Sequence, residues 1–294
     1  MESLSGIIPY LLSGISVGGQ YALIAIGYTM VYGILRLINF AHADIFMVAG
    51  FIMVYSSTVF PLYVSIILVL ILTVIIGFTV ERFAYKPLRS APRMSIMISA
   101  IGVSYLLQNL AWYITGGLAK TFPVIPWVSD SITVLGNATK RVTVITPILT
   151  IALVIALVLL LKYTKVGIAM RAVSKDFETS QLMGIKINTI ISITFIIGSF
   201  LAAVGSMLYF TNYSAVSPTV GAMPGLKAFV AAVFGGIGSV PGAVVGAFII
   251  GICENFIKAV GLTTFSDAFT FALLIVILVV KPTGLFGEKT SEKV

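Results

Sequence analysis

The chain has 294 residues, 59% of them hydrophobic and only 10% charged, with a mean hydropathy of +1.12. Soluble domains carry about 25% charged residues, so one aqueous core cannot hide this much apolar surface, and the chain reads as a polytopic membrane protein. The balance of 18 Lys+Arg against 10 Asp+Glu gives +8, which basic cytoplasmic loops explain; no basic stretch is interleaved with exposed aromatics, which argues against nucleic acid.

Taken in chain order, the start "MESLSGIIPY" has no basic n-region, and no A-x-A-like site follows the first apolar run. That run is expected as an uncleaved span. Crossing ~30 Å of hydrocarbon as helix takes ~20 apolar residues, and about nine segments approach that length. They lie near Ile7–Leu35, Ala43–Thr58, Leu62–Val80, Met94–Gly116, Thr146–Leu161, Asn188–Phe210, Gly225–Gly238, Gly242–Ile257 and Asp267–Val280. The second, seventh and eighth are short. The expectation is an all-α membrane helical bundle of about 8–9 spans, including short or broken helices. Residues 1–294 would form a single transmembrane domain.

Orientation follows from the connections. "ERFAYKPLRSAPR" carries Arg82, Lys86, Arg89 and Arg93 against Glu81 alone. "KYTKVGIAMRAVSKDFETSQLMGIK" carries Lys162, Lys165, Arg171, Lys175 and Lys186. Both should face the cytoplasm. The mixed-charge stretch of residues 117–145 would then lie outside, as would the N-terminus, with the tail "KPTGLFGEKTSEKV" inside. The tail's "GEKT" lacks the G-x-x-x-x-G-K-[ST] spacing of a phosphate loop and reads as a solvated end.

Catalytic constellations are missing. There is one histidine, His42, and one cysteine, Cys253, the latter inside an apolar run, so neither a His/Cys zinc cluster nor an internal disulfide can form. No G-x-S-x-G or H-E-x-x-H occurs. The chain is expected to be no enzyme and to hold no cofactor; any ATP that drives it is hydrolysed by another chain.

Polarity concentrates instead in "RLINFAHADIFMVAG", where Arg36, Asn39, His42 and Asp44 fall within nine positions between two apolar runs. "SPTVGAMPGLKAFVAAVFGG" resembles it: each follows a long apolar span, opens with a non-helical stretch, places one charge (Asp44, Lys227) and continues F-x-V-A or F-V-A-A. Each is followed by another apolar segment. An odd number of spans separates the two units, so they would run oppositely, as a degenerate inverted repeat. Short Gly/Pro-interrupted segments at matching positions of such a repeat point to a transport site. Intramembrane ionisable groups are costly and usually functional. Asn39, His42, Asp44 and Lys227 are therefore the candidate substrate pathway. The plainer alternative is an interfacial turn capped by Asn39 or Asp44, with Arg36 anchored to headgroups. Gln20, Gln108, Asn109, Glu254 and Asn255 read as hydrogen-bonding glue between helices, and Gly242-x-x-x-Gly246 as a close-packing pattern.

Three blocks carry a resemblance: "GGQYALIAIGYTMVYGILRLINFAHADIFMVAGF", "GIAMRAVSKDFETSQLMGIKINTIISITFIIGSFLAAVGSML" and "GLKAFVAAVFGGIGSVPGAVVGAFIIGICEN". In this order, from about Gly14 to Phe286, they closely resemble the LivH-type permease family of branched-chain amino acid ABC transporters. The resemblance implies a multi-pass subunit of the cell (inner) membrane, forming half of a translocation pathway for branched-chain or related amino acids. Its implied partners are a second, LivM-like permease, two cytoplasmic ATP-binding subunits and an extracytoplasmic substrate-binding protein. It also implies a cytoplasmic coupling segment near residues 163–187, where the E-A-A-x-x-x-G pattern stands as Glu178-Thr179-Ser180 followed by Gly184. Arg171, Phe177, Glu178, Thr179, Ser180 and Gly184 would couple to the ATPase, on a short helix "RAVSKDFETSQLMGI" that also offers Ala172, Gln181, Leu182 and Ile185. Import of urea or short-chain amides is the alternative within the family; a secondary transporter or channel is the alternative outside it, and would have no use for a coupling helix.

Overall fold

The computed structural model describes residues 2–89, 91–134 and 136–287. Eleven α-helices are described: α1 Glu2–Leu35, α2 His42–Ser56, α3 Leu62–Val80, α4 Arg93–Thr115, α5 Arg141–Tyr163, α6 Lys165–Lys175, α7 Phe177–Leu182, α8 Ile187–Tyr213, α9 Ala222–Gly235, α10 Val240–Ala259 and α11 Ser266–Val280. Seven stretches are long and apolar enough to cross a membrane; α2 and α9 are shorter apolar helices. Strand is confined to one side of the bundle. Lys120–Thr121 pairs antiparallel with Ala215–Val216, and Ser131–Val134 pairs with Asn137–Lys140. The fold is an all-α, multi-pass membrane bundle.

Several boundaries depart from the sequence expectation by a few residues. Helix α5 starts at Arg141 rather than Thr146, so Pro147 falls inside it and leaves the Thr143 carbonyl without the bond that an N–H at residue 147 would give. Helix α9 starts at Ala222 and stops at Gly235, since Pro224 sits in its first turn and Gly236, at φ 106°, ends it.

Helices α1, α8 and α10 are buried over more than half of their apolar windows, whereas α4, α5 and α11 are mostly exposed. With hydrocarbon on both sides of a helix pair, packing and hydrogen bonds decide association. Packing partners are reciprocal. Helix α1 lies on α10 as α8 lies on α3; α2 lies on α8 as α9 lies on α1; α4 lies on α2 as α11 lies on α9. Along α1, Gly14 faces Ile252, Gly18 faces Phe248 and Gly33 faces Gly238, so α1 and α10 run antiparallel. Gly205 and Gly198 of α8 face Leu23 and Gly27 of α1, again antiparallel. The units α1–α4 and α8–α11 therefore share a packing plan and run in opposite directions.

The connections sort into two ends. At one, the Phe122 amide bonds the Ser214 carbonyl (3.0 Å), and Lys140 Nζ reaches the Asn212 carbonyl (2.9 Å). At the other, Arg89 bonds Glu81 and Asn188, and the Leu285 and Phe286 amides bond the carbonyls of Phe234 and Gly235 at 2.9 Å. Most of the described Lys and Arg lie at this second, basic end. The Glu288-Lys289-Thr290 part of the tail lies outside the described residues.

Candidate functional site

Both short helices begin far from the ends of the helices that precede them. Helix α2 starts at His42, whose ring lies against Gly27, so tightly that a Cβ there would collide with the imidazole. Gly27 is eight residues before the end of α1, about 12 Å at 1.5 Å per residue. Residues 36–41 thus lead the chain back into the bundle without helix, starting from Arg36 at φ 55°. Residues 214–221 do the same after α8, starting from Ser214 at φ 57°. The two helices start side by side: Gly221 and Gly225 both face Ala43, and Gly225 also faces the Tyr28 hydroxyl. Neither N-cap, Ala41 or Gly221, supplies a side-chain cap. Two positive helix ends therefore meet inside the bundle, and each short segment crosses as a non-helical part followed by a helical part. Irregular backbone at that depth is tolerated because protein surrounds it.

The four candidate pathway residues cluster around this junction and are all buried. Asn39 Oδ1 accepts from the Tyr85 hydroxyl at 2.9 Å, and its Nδ2 has no partner among the described residues. The His42 ring meets the edge of Tyr28 with centroids 5.2 Å apart, and its Nε2 also lacks a partner. Asp44 Oδ1 accepts from Gln108 Nε2 at 3.0 Å. Lys227 is held differently. Its Nζ lies 2.9 Å from Glu254 Oε1 and 2.6 Å from Asp267 Oδ1. Glu254 in turn receives Lys258 Nζ at 2.7 Å and the Tyr21 hydroxyl at 3.0 Å.

The fold brings the starts of α2 and α9 together, but Asp44 and Lys227 bond to separate partners. Glu254 and Gln108, read from sequence as glue, are those partners. Asp267 went unnoticed because it stands at the start of α11, where an acidic first-turn residue is ordinary. Glu254 gave a usable signal: it and Lys258 are spaced i,i+4 in an apolar helix.

The segment read as one coupling helix is two. Helix α6 ends and α7 begins at Asp176, whose extended backbone breaks the helix while its carboxylate accepts from the amides of Glu178 (2.9 Å) and Thr179 (3.1 Å). Asp is a preferred N-cap for this reason. Helix α7 closes with the Ile185 amide on the Ser180 carbonyl and the Gly184 amide on that of Gln181. This double closure needs a left-handed residue at Gly184, which has φ 84°. Arg171, Phe177, Glu178 and Thr179 are exposed; Ser180 points inward and is buried. Leu182 and Met183 are 87% and 79% exposed. Met183 escaped the sequence reading, since nothing in the motif distinguishes it. The Arg36 guanidinium reaches the Ser174 carbonyl of α6 at 3.5 Å, so the end of α1 touches this segment.

Comparison with known proteins gives a consistent picture. The family described as the permease component of the branched-chain amino acid transport system matches residues 10–278. The chain is 37% identical to the high-affinity branched-chain amino acid transport system permease protein LivH of Salmonella typhimurium, over 97% of this chain and 96% of the relative. It is 36% identical to the corresponding protein BraD of Pseudomonas aeruginosa, over the full length of both. A partial similarity, 29% over 44% of this chain and 42% of the relative, links it to the ribose import permease protein RbsC of Haemophilus influenzae.

Proposed function

The chain belongs to the branched-chain amino acid transport permease family and is a multi-pass membrane permease subunit of that class of ABC importer, not an enzyme; from that premise we propose how its own residues serve transport. The basic end faces the cytoplasm, following the distribution of Lys and Arg. Residues 117–145 then lie outside, and residues 163–187 form the cytoplasmic coupling segment. The chain supplies half of a pathway for branched-chain or related amino acids. The other half is a second, LivM-like permease. Two ATP-binding subunits dock on the cytoplasmic side, and an extracytoplasmic binding protein delivers the substrate.

One observation carries the pathway reading: two half-helices start head to head inside oppositely running units, beside Tyr28, His42 and Asp44. Half-helix starts at mid-depth are where transporters of inverted-repeat design hold charged substrate groups. A zwitterion needs its carboxylate and ammonium met as it leaves water, and weak, separated partners let it go again. The positive dipole ends of the two helix starts suit the carboxylate; Asp44 suits the ammonium. Lys227, engaged by two carboxylates, sets the field at the start of α9. Asn39 positions the non-helical entry to α2 through Tyr85.

Coupling is assigned to α7, where Phe177, Glu178 and Thr179 are exposed, Ser180 anchors the helix from inside, and Gly184 sets its exit. Arg171 adds a basic rim. Two substitutions test the assignment in proteoliposomes containing the whole transporter. Asp44→Asn should slow leucine uptake while the assembled complex stays intact. Glu178→Lys should leave ATP hydrolysis running while uptake falls. Unimpaired uptake in both variants would remove the basis for these roles.

A further inference from the structure

Helix α4 stands off from the bundle. Only Ile96, Ala100, Ala111 and Thr115 of its 23 residues are buried. Polar contacts tie it down: Ser99 Oγ donates to the Ala84 carbonyl at 3.1 Å, and Gln108 and Ser104 both bond Asp44. Between it and α2/α3 runs a slot of about 1120 Å³, with walls that include Leu72, Ile76, Phe83, Leu106, Leu107 and Leu110. The slot extends along α4 from Ser99 to Thr115, about 24 Å of helix. The slot is open at the side of the bundle and almost wholly apolar, so at membrane depth its walls favour hydrocarbon over water.

Where helices of this chain approach closely they use small residues, as Gly235 against Gly242 and Gly246 against Ala231. The slot is walled mainly by branched aliphatic and aromatic side chains, with Gly102 the one glycine among them, and such walls suit a flexible chain better than a second helix. Its basic-end mouth adds a charge argument. Glu81, the one acid between residues 81 and 93, is fully buried and already engaged by Arg89 and by Ser192 Oγ at 2.7 Å. Arg82 and Arg93 are exposed and Lys86 is half-buried, and none of the three has an ion-pair partner among the described residues. Basic pockets between membrane helices on this side recognise anionic headgroups.

We propose that the slot between α4 and α2/α3 is a binding site for one anionic phospholipid of the cytoplasmic leaflet, its acyl chains in the slot and its phosphate on Arg82, Lys86 and Arg93. The lipid completes the packing of α4, and through Gln108 it steadies Asp44. The orientation rests on the basic end facing the cytoplasm; the test reads lipid rather than uptake, so its failure leaves the transport reading standing.

The probe is phosphatidylglycerol against phosphatidylcholine, offered to the delipidated full-length protein and counted by native mass spectrometry. Wild type should retain phosphatidylglycerol preferentially. The triple variant Arg82→Gln/Lys86→Gln/Arg93→Gln should lose that preference, by about 150-fold if each of the three basic residues contributes about 1 kcal/mol near an anionic surface. Gly102→Trp, placed where a Cβ would meet nothing within 4 Å, should lower retention of both lipids by filling the slot. In unaltered protein, a photoactivatable phosphatidylglycerol should label peptides of α3 and α4. Equal retention of the two lipids by wild type, or labelling elsewhere only, overturns the proposal. So does efficient cross-linking of Leu106→Cys, in a Cys253→Ala background, to a second permease, which would put a protein helix in the slot.

Discussion

The ion cluster at the start of α9 allows the most exacting test, a double-mutant cycle between Lys227 and Glu254. Both side chains are almost fully buried, at 8% and 3% exposure, with 2.9 Å between Nζ and Oε1. Removing one partner of a buried pair costs about 3–5 kcal/mol when the other is left uncompensated. Here neither is left alone. After Lys227→Met, Glu254 keeps Lys258 and the Tyr21 hydroxyl, and Asp267, 45% exposed, turns to water. After Glu254→Gln, Lys227 keeps Asp267 at 2.6 Å. Each single change should therefore cost less than the full penalty, about 2 kcal/mol. The double variant leaves only Lys258 and Asp267, both with access to solvent, and should fall short of the sum of the singles by about 1–3 kcal/mol. The measurement is unfolding in mixed micelles for the wild type and three variants. Asp44→Asn combined with Lys227→Met serves as the control; with no shared partner the two should add within about 0.5 kcal/mol. Additive losses for the Lys227–Glu254 pair, together with recovery in the Asp44–Lys227 double variant, would refute the arrangement and pair the two half-helices with each other instead.

Three further outcomes follow from the same geometry. Gly184→Ala must place a side chain at φ 84°, at about 1–2 kcal/mol; uptake per ATP hydrolysed should fall, and less so for Gly184→Asn, which tolerates that conformation better. Leu182→Asp with Met183→Asp puts charge on the two most exposed apolar side chains of the coupling segment, and co-purification of the ATP-binding subunits should drop while the permease still inserts. In a Cys253→Ala background, a cysteine at Lys175 should react with a membrane-impermeant maleimide only after permeabilisation, and one at Ser131 without it; Ser90, the matching position on the other basic connection, lies outside the described residues.

Much of the fold was legible in the sequence because a bilayer simplifies the problem. Every backbone polar group at depth needs an internal partner, so apolar runs become helices almost by default. All nine apolar segments named from sequence have a helix in the structure. The inverted relation of the two units was also visible, through two polar interruptions at matching places. The depth at which α2 and α9 begin was not legible. It depends on His42 seating against Gly27 and Gly225 against Ala43, contacts between residues far apart in the chain. The break at Asp176 was missed for a different reason. An Asp can sit inside an exposed helix or cap the next one, and only its bonds to the Glu178 and Thr179 amides show which.

Charge partnerships are the least legible layer. Opposite charges at corresponding places of a repeat, Asp44 and Lys227, invite pairing with each other. Inversion sends their side chains to different neighbours: α2 leans on α4, where Gln108 waits, and α9 leans on α10 and α11, which bring Glu254 and Asp267. The two half-helices are thus anchored differently, α9 by two carboxylates and α2 by the neutral side chains of Gln108 and Ser104 on a helix with few buried residues. A hydrogen bond to a charged group contributes about 1.5–3 kcal/mol, whereas a buried ion pair must first offset the desolvation of both its charges, so the larger number of charges around Lys227 does not by itself make its anchor the stronger one.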